Sequence, residues 1–142
     1  MTGPTAAARE TICTDHAELV DDIAASADAL AATWTDPPTD RAAVVPPFEA
    51  LLDQRGVLSA LPAVLTDAVA AAGYELRATP VAGPPYVVVT STGVVCRATV
   101  ADGRLVVRFR CFAVDRDGDG PARYVRRDGG PAQLVDVSFR DA

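Results

Sequence analysis

The sequence predicts an α+β domain in which three N-terminal helices pack on one face of a mainly antiparallel β-meander sheet. Three observations predict it. Apolar residues recur every third or fourth position up to Gly73 and every second position beyond it. Glycine and proline punctuate both halves at intervals suited to short elements. Asp102-Gly103 stands between two alternating runs, the arrangement of a two-residue hairpin loop. With 142 residues, the chain suits a single domain, 1–142, made of a helical half (1–73) and a strand half (74–142).

The first helix is expected to start at Asp15, an N-cap with Glu18 three residues on. Val20, Ile23, Ala27, Leu30 and Trp34 then form its apolar stripe, and "TDPPTD" (35–40) ends it. A second, short helix follows Pro46-Pro47 through "FEALLDQR" to Gly56, placed where a C-terminal glycine belongs. A third runs from Ser59 to Gly73, with Leu61, Val64, Leu65, Ala68 and Val69 on one side. Pro62 fits this helix by falling in its first turn. The strands are expected at 74–79, 86–91, 94–101, 104–114, 123–127 and 133–140.

The hairpin sorts side chains onto two faces. With Ala101 opposite Arg104, Arg97 faces Arg108, Cys96 faces Phe109 and Val95 faces Arg110. One face then carries Val94, Cys96, Ala98, Val100, Leu105, Val107, Phe109 and Cys111, which is a core pattern. The other carries Arg97, Arg104, Arg108 and Arg110, with Phe112 at the end of the arginine stripe.

Composition narrows the class. Hydrophobic residues make up 49% of the chain and charged residues 23%, a globular rather than a disordered balance. No apolar run reaches the roughly 18–20 residues of a membrane span, and the N-terminal stretch lacks the pattern of an export signal, so a cytoplasmic protein is expected. All 13 basic residues are arginine, against 19 acids, for a net charge of −6. Such an acidic, lysine-free chain suits a salt-rich cytoplasm. Carboxylate repulsion opposes compactness at low salt and is screened when the Debye length falls to about 3 Å near 1 M. The charge is also divided: residues 1–75 hold 12 acids and three arginines, whereas 76–142 hold seven acids and 10 arginines. An acidic half and a basic half imply that they pair with one another, or that the basic half meets an anionic partner.

The candidate chemistries are few. "DRDGDG" (115–120) places Asp115, Asp117 and Asp119 at the alternate positions of a calcium loop, with Gly120 at the sixth. The twelfth position is Arg126, however, where such a loop needs a bidentate glutamate, so the stretch reads as a solvated turn and only a weak metal candidate. Cys13, Cys96 and Cys111 lack the close spacing of a zinc site, and reduced thiols are expected. Cys13 and His16 lie near one another along the chain, but no orienting group or oxyanion donor accompanies them. No nucleotide-binding or hydrolase motif is present, and no cofactor is implied.

The arginine stripe is the strongest candidate. Like charges on one strand pair are unfavourable and call for an offset: acids of the helical half on a solvated sheet face, acids of a partner protein, or the phosphates of a nucleic acid. Arg97, Arg104, Arg108 and Arg110 would supply the charge of a binding face, and Tyr86 and Phe112 its contact area. A protein partner is favoured over nucleic acid, because aromatics for base stacking are sparse and salt weakens phosphate binding.

The stretch "GPPYVVVTSTGVVCRATVADGRLVVRFRCFAVDR" (83–116), with "AVAAAGYELRA" before it, resembles small uncharacterised haloarchaeal proteins classified only as a domain of unknown function. The resemblance implies a meander fold and cytoplasmic residence in a halophile, and it carries no functional residue. The expectation is a non-enzymatic interaction or regulatory domain. The alternative is a small enzyme with its site between helices and sheet.

Overall fold

The computed structural model describes residues 3–127 and 129–141. It has the expected α+β architecture, with helices on one face of an antiparallel sheet. The helical half contains α1 (Pro4–Asp15), α2 (Ala17–Ala31), a 3₁₀ turn (Arg41–Ala43), α3 (Val45–Gln54) and α4 (Val57–Ala71). There follow β1 (Val87–Thr90), β2 (Gly93–Val100), β3 (Gly103–Arg110), β4 (Phe112–Asp115), β5 (Arg123–Arg126), the single-turn α5 (Pro131–Leu134) and β6 (Val135–Asp141).

Helix α1 is one more than the periodicity shows. Only Ala8 and Ile12 of α1 are buried, an i,i+4 pair too sparse to announce a stripe, and Pro4 opens it in the first turn. Asp15 is therefore the last residue of α1 rather than an N-cap. The chain breaks at His16, whose φ of −120° and ψ of 33° separate α1 from α2. Helix α4 also starts earlier than expected, after Gly56, which adopts the left-handed φ of 74°. Pro62 consequently lies inside the helix, one backbone hydrogen bond short.

The main sheet has the order β1-β2-β3-β6, antiparallel throughout. The meander holds through β1, β2 and β3. The chain then makes a separate two-stranded excursion, β4-β5, before β6 returns to pair with β3. Residues 74–79 form no strand. That segment is fastened by the Arg77 N–H to the Thr99 carbonyl (3.3 Å) and by Tyr74 stacked on Phe139 of β6 at 4.9 Å between centroids.

The hairpin register differs from the expected one by two residues. Val100 faces Gly103, so the loop is Ala101-Asp102, Arg97 lies opposite Val106, and Arg108 lies opposite Val95. An Asp102-Gly103 loop of the usual hairpin type requires positive φ at the aspartate. None of the described non-glycine residues has positive φ. Gly103 instead enters β3 with φ of 159°, where a Cβ would lie 2.2 Å from the Arg140 carbonyl oxygen. Because a shift of two keeps side-chain parity, the sorting into faces survives. Val94, Cys96, Ala98, Val100, Leu105, Val107, Phe109 and Cys111 are all buried, packed with Ile12, Leu61, Leu65 and Ala68 from the helices.

The strand expected over 104–114 is broken at Cys111. The N–H groups of Cys111 and Phe112 both donate to the Thr92 carbonyl, at 2.9 and 3.0 Å. Two successive residues opposite one is the geometry of a bulge, and it inverts the parity beyond it. Phe112 therefore turns inward, 1% exposed, against Phe48 (5.1 Å, edge-on) and Trp34 (5.5 Å).

At this same end of β2, Gly93 approaches β3 so closely that a Cβ would sit 1.8 Å from the Phe109 carbonyl oxygen. Gly93→Ala is expected to cost at least about 3 kcal/mol by prising the two central strands apart. Gly120→Ala, with open space around it, is expected to stay within about 0.5 kcal/mol of wild type. Urea denaturation of the two variants checks the contrast.

Candidate functional site

The sheet face turned away from the helices is built by register. Cross-strand alignment places Val88 and Thr90 of β1, Val95, Arg97 and Thr99 of β2, and Arg104, Val106, Arg108 and Arg110 of β3 on this side. Strand β6 adds Asp136, Ser138 and Arg140. Arg97, Arg104, Arg110 and Arg140 are exposed and Arg108 is half-buried. Val106, in the middle, is only 2% exposed although no helix covers it.

The electrostatics of the face are one-sided. The opposition of like charges expected between Arg97 and Arg108 occurs instead between Arg104 and Arg140, directly across the β3-β6 pair. Among the described residues, no carboxylate lies within 4 Å of the guanidinium of Arg97, Arg104, Arg108, Arg110 or Arg140. The ion pairs that do form involve other residues: Arg123 with Asp115 (3.0 Å), Arg126 with Asp28 (2.9 Å) and His16 with Asp67 (2.7 Å). The acidic half thus reaches the basic half at Arg126 and leaves the stripe alone. Arg126 Nε donates to Asp28 on α2, and Nη1 donates to the Cys111 and Arg127 carbonyls. This residue clasps the small sheet to the helices.

The two aromatics assigned to the face have different fates. Tyr86 precedes β1; its carbonyl accepts the Arg97 N–H at 2.8 Å, and its ring is half-buried against the core. Phe112 is removed from the face by the bulge at Cys111, so it contributes to the core and not to a contact surface.

The turn "DRDGDG" does not gather its acids. Asp115 Oδ1 accepts the Asp117 N–H (2.9 Å) and Oδ2 accepts from Arg123. Those two hydrogen bonds, the backbone one foremost, hold its carboxyl below the usual carboxylate range. Among the described residues no group of three His, Cys, Asp or Glu is placed to hold a metal ion. The weak candidate Asp115, Asp117 and Asp119 is a turn stabilised by its own backbone.

Cys13, Cys96 and Cys111 are free thiols. Cys13 packs against the core, whereas the His16 ring is turned to Asp67 on α4, so no hydrogen-bonded thiol–imidazole pair forms. The space between helices and sheet, the expected place for an enzyme site, is filled by apolar side chains. Ser26, the buried polar residue among those described, spends its hydroxyl on the Asp22 carbonyl at 2.8 Å. No helix among the described residues is long and apolar enough to cross a membrane.

A family model described as a domain of unknown function (DUF7988) matches residues 6–140. The chain belongs to that family. The match spans both halves of the fold, so α1 and β6 are parts of the family's domain. No curated protein and no solved structure matches the chain.

Burial raises the Cys96 and Cys111 thiols from an ordinary value of 9.0 to about 12. The unfolded chain ionises them above pH 9 while the folded chain keeps them protonated up to pH 12. Stability contributed below pH 9 is therefore lost as pH rises through that window, by up to about 1.4 kcal/mol per pH unit for each thiol. Urea midpoints between pH 8.5 and 11 for wild type and Cys111→Ala are expected to show a shallower decline in the variant. Phe112→Ala is expected to cost about 3–5 kcal/mol, as removal of a buried phenyl ring does, whereas a ring on an open face would be dispensable. Its thermal midpoint decides between the two placements.

Proposed function

We propose that this protein is a non-enzymatic interaction domain that presents its arginine-bearing sheet face to an anionic partner, in the cytoplasm of a salt-loving organism. One observation carries the reading: Arg97, Arg104, Arg108, Arg110 and Arg140 share a face, and none has a carboxylate at ion-pairing distance among the described residues. Two arginines off this face, Arg123 and Arg126, are matched with acids. An unmatched set of like charges on one sheet face raises the free energy of the isolated chain and lowers that of any complex that supplies anions. Guanidinium is suited to this, because its planar fork takes a carboxylate through two parallel hydrogen bonds. An acidic protein surface fits the face better than nucleic acid does. The one aromatic left beside the stripe, Tyr86, is half-buried and presents no row of stacking platforms. The filled space between helices and sheet favours binding over catalysis, since it leaves a substrate no room there. The acid excess and absence of lysine support residence in high salt.

A tagged chain captured from the lysate of a salt-loving host, kept at about 2 M KCl so that carboxylate repulsion is screened, tests the reading. Wild type is expected to retain a specific acidic protein, and the double variant Arg97→Gln, Arg108→Gln to lose it while keeping its thermal midpoint. Unfolding of the double variant would instead assign both arginines to the structure itself. Retention of the same partner by a folded double variant would remove the face from consideration.

A further inference from the structure

The outer face ends in a cleft where β3 leaves the main sheet. Thr90 and Thr92 at the β1-β2 turn, Arg108 and Arg110 of β3, Ala113 of β4 and Arg127 after β5 line it. It encloses about 310 Å³, at the lower end of small-molecule sites. Three arginines line this cleft and, among the described residues, no acid does.

That asymmetry sets it apart from the cleft at the other end of the face. There Arg77, Arg104 and Arg140 also converge, but Asp141 lines the wall with them and Arg77 donates to the Ala101 carbonyl. The first cleft has no such internal relief. Arg108 and Arg127 are half-buried as residues. Among the described residues, neither side chain makes a hydrogen bond or an ion pair. Arg108 even stands opposite Asp136 in the sheet register without pairing with it. Like charges that line one cleft repel one another, and the repulsion falls when an anion enters among them.

The charge and donors define that anion. Three arginines lining one cleft offer more planar forks than a single carboxylate can use, a number suited to the oxygens of a dianion. The Thr90 hydroxyl is occupied, donating to the Gly93 carbonyl (3.1 Å) and accepting the Thr92 N–H (3.3 Å). The exposed Thr92 hydroxyl therefore donates to that of Thr90 at 3.3 Å, and its hydrogen can rotate from there to a ligand that enters the cleft. We infer that this cleft binds a phosphate monoester dianion, held by Arg108, Arg110 and Arg127 with the Thr92 hydroxyl. The inference deepens the reading of the arginine face, on which it rests through Arg108 and Arg110, and adds a chemical class and a residue, Arg127, outside the stripe. The dianion can come from a small phosphorylated molecule or from a phosphorylated side chain of a partner protein.

Calorimetric titration of the full chain at constant ionic strength tests it, with inorganic phosphate, a phosphoserine peptide and the unphosphorylated twin of that peptide as probes. Phosphate is expected to bind saturably, Arg127→Gln to weaken it on the order of tenfold or more, and Arg55→Gln, an exposed arginine of the helical half, to leave it unchanged. Thr92→Glu removes no arginine and puts a carboxylate at the mouth of the cleft; it is expected to abolish binding and raise the thermal midpoint in phosphate-free buffer. Binding of inorganic phosphate makes a small phosphorylated molecule sufficient, and binding of the phosphopeptide alone assigns the group to a partner's side chain. Equal binding by wild type and a folded Arg127→Gln variant places phosphate elsewhere and overturns the site. So does failure of both phosphorylated probes, with Arg108 then paired to Asp136 in solution. Survival of protein capture in that case leaves the broader face standing, whereas loss of both removes it too.

Discussion

Alternation along the β2-β3 hairpin is the constraint on which the other features depend. Side chains of a strand point to opposite sides in turn, so Val94, Cys96, Ala98 and Val100 reach the helices only if Val95, Arg97 and Thr99 point away from them. The same holds for Leu105, Val107 and Phe109 against Arg104, Val106 and Arg108. Each large apolar side chain buried on the inner side contributes about 1.5–3 kcal/mol. A slip of one residue would exchange core for arginines, whereas a slip of two costs no face its identity. The arginine face is the necessary reverse of the hydrophobic core, and its charge is set by residues that the core does not need.

That alternation is interrupted at one place. At Cys111 and Phe112 two neighbouring residues are both buried, and the chain departs from the sheet to form the small β4-β5 ladder. The departure swings Phe112 under Trp34 and Phe48 and brings Arg126 to Asp28, joining the basic and acidic halves. It also opens the cleft between the outer face and Arg127. One local change in pairing thus supplies an aromatic anchor, an ion pair between the halves and a concave surface.

The sequence made the architecture and the two sheet faces legible because both follow from periodicity, and parity is unaffected by a register shift of two. Less was visible wherever a tertiary contact decides. Helix α1 depends on two buried residues, Ala8 and Ile12, and on its packing against α4 and β6. The extended role of Gly103 depends on its neighbour Arg140, which is distant in sequence. The inward turn of Phe112 depends on a shared carbonyl, Thr92, that belongs to another strand. Of the site, Arg97, Arg104, Arg108 and Arg110 were readable from alternation. Arg140 and Arg127 were not, since they join the face only through the pairing of β6 and the path of β5.

Strand β6 lies beside β3 in space, yet the whole β4-β5 excursion and α5 come between them in sequence. The hairpin of β2 and β3 closes over two residues, Ala101 and Asp102, and needs little chain entropy to form. Addition of β6 closes a far longer loop, and α1, which packs against β6, must be held from the opposite end of the chain. Arg9 makes that bond concrete by donating to the carbonyls of Ala132 and Val135. The first helix and the last strand therefore complete each other. Without β6 in place, β3 would present a bare edge to whatever else is nearby.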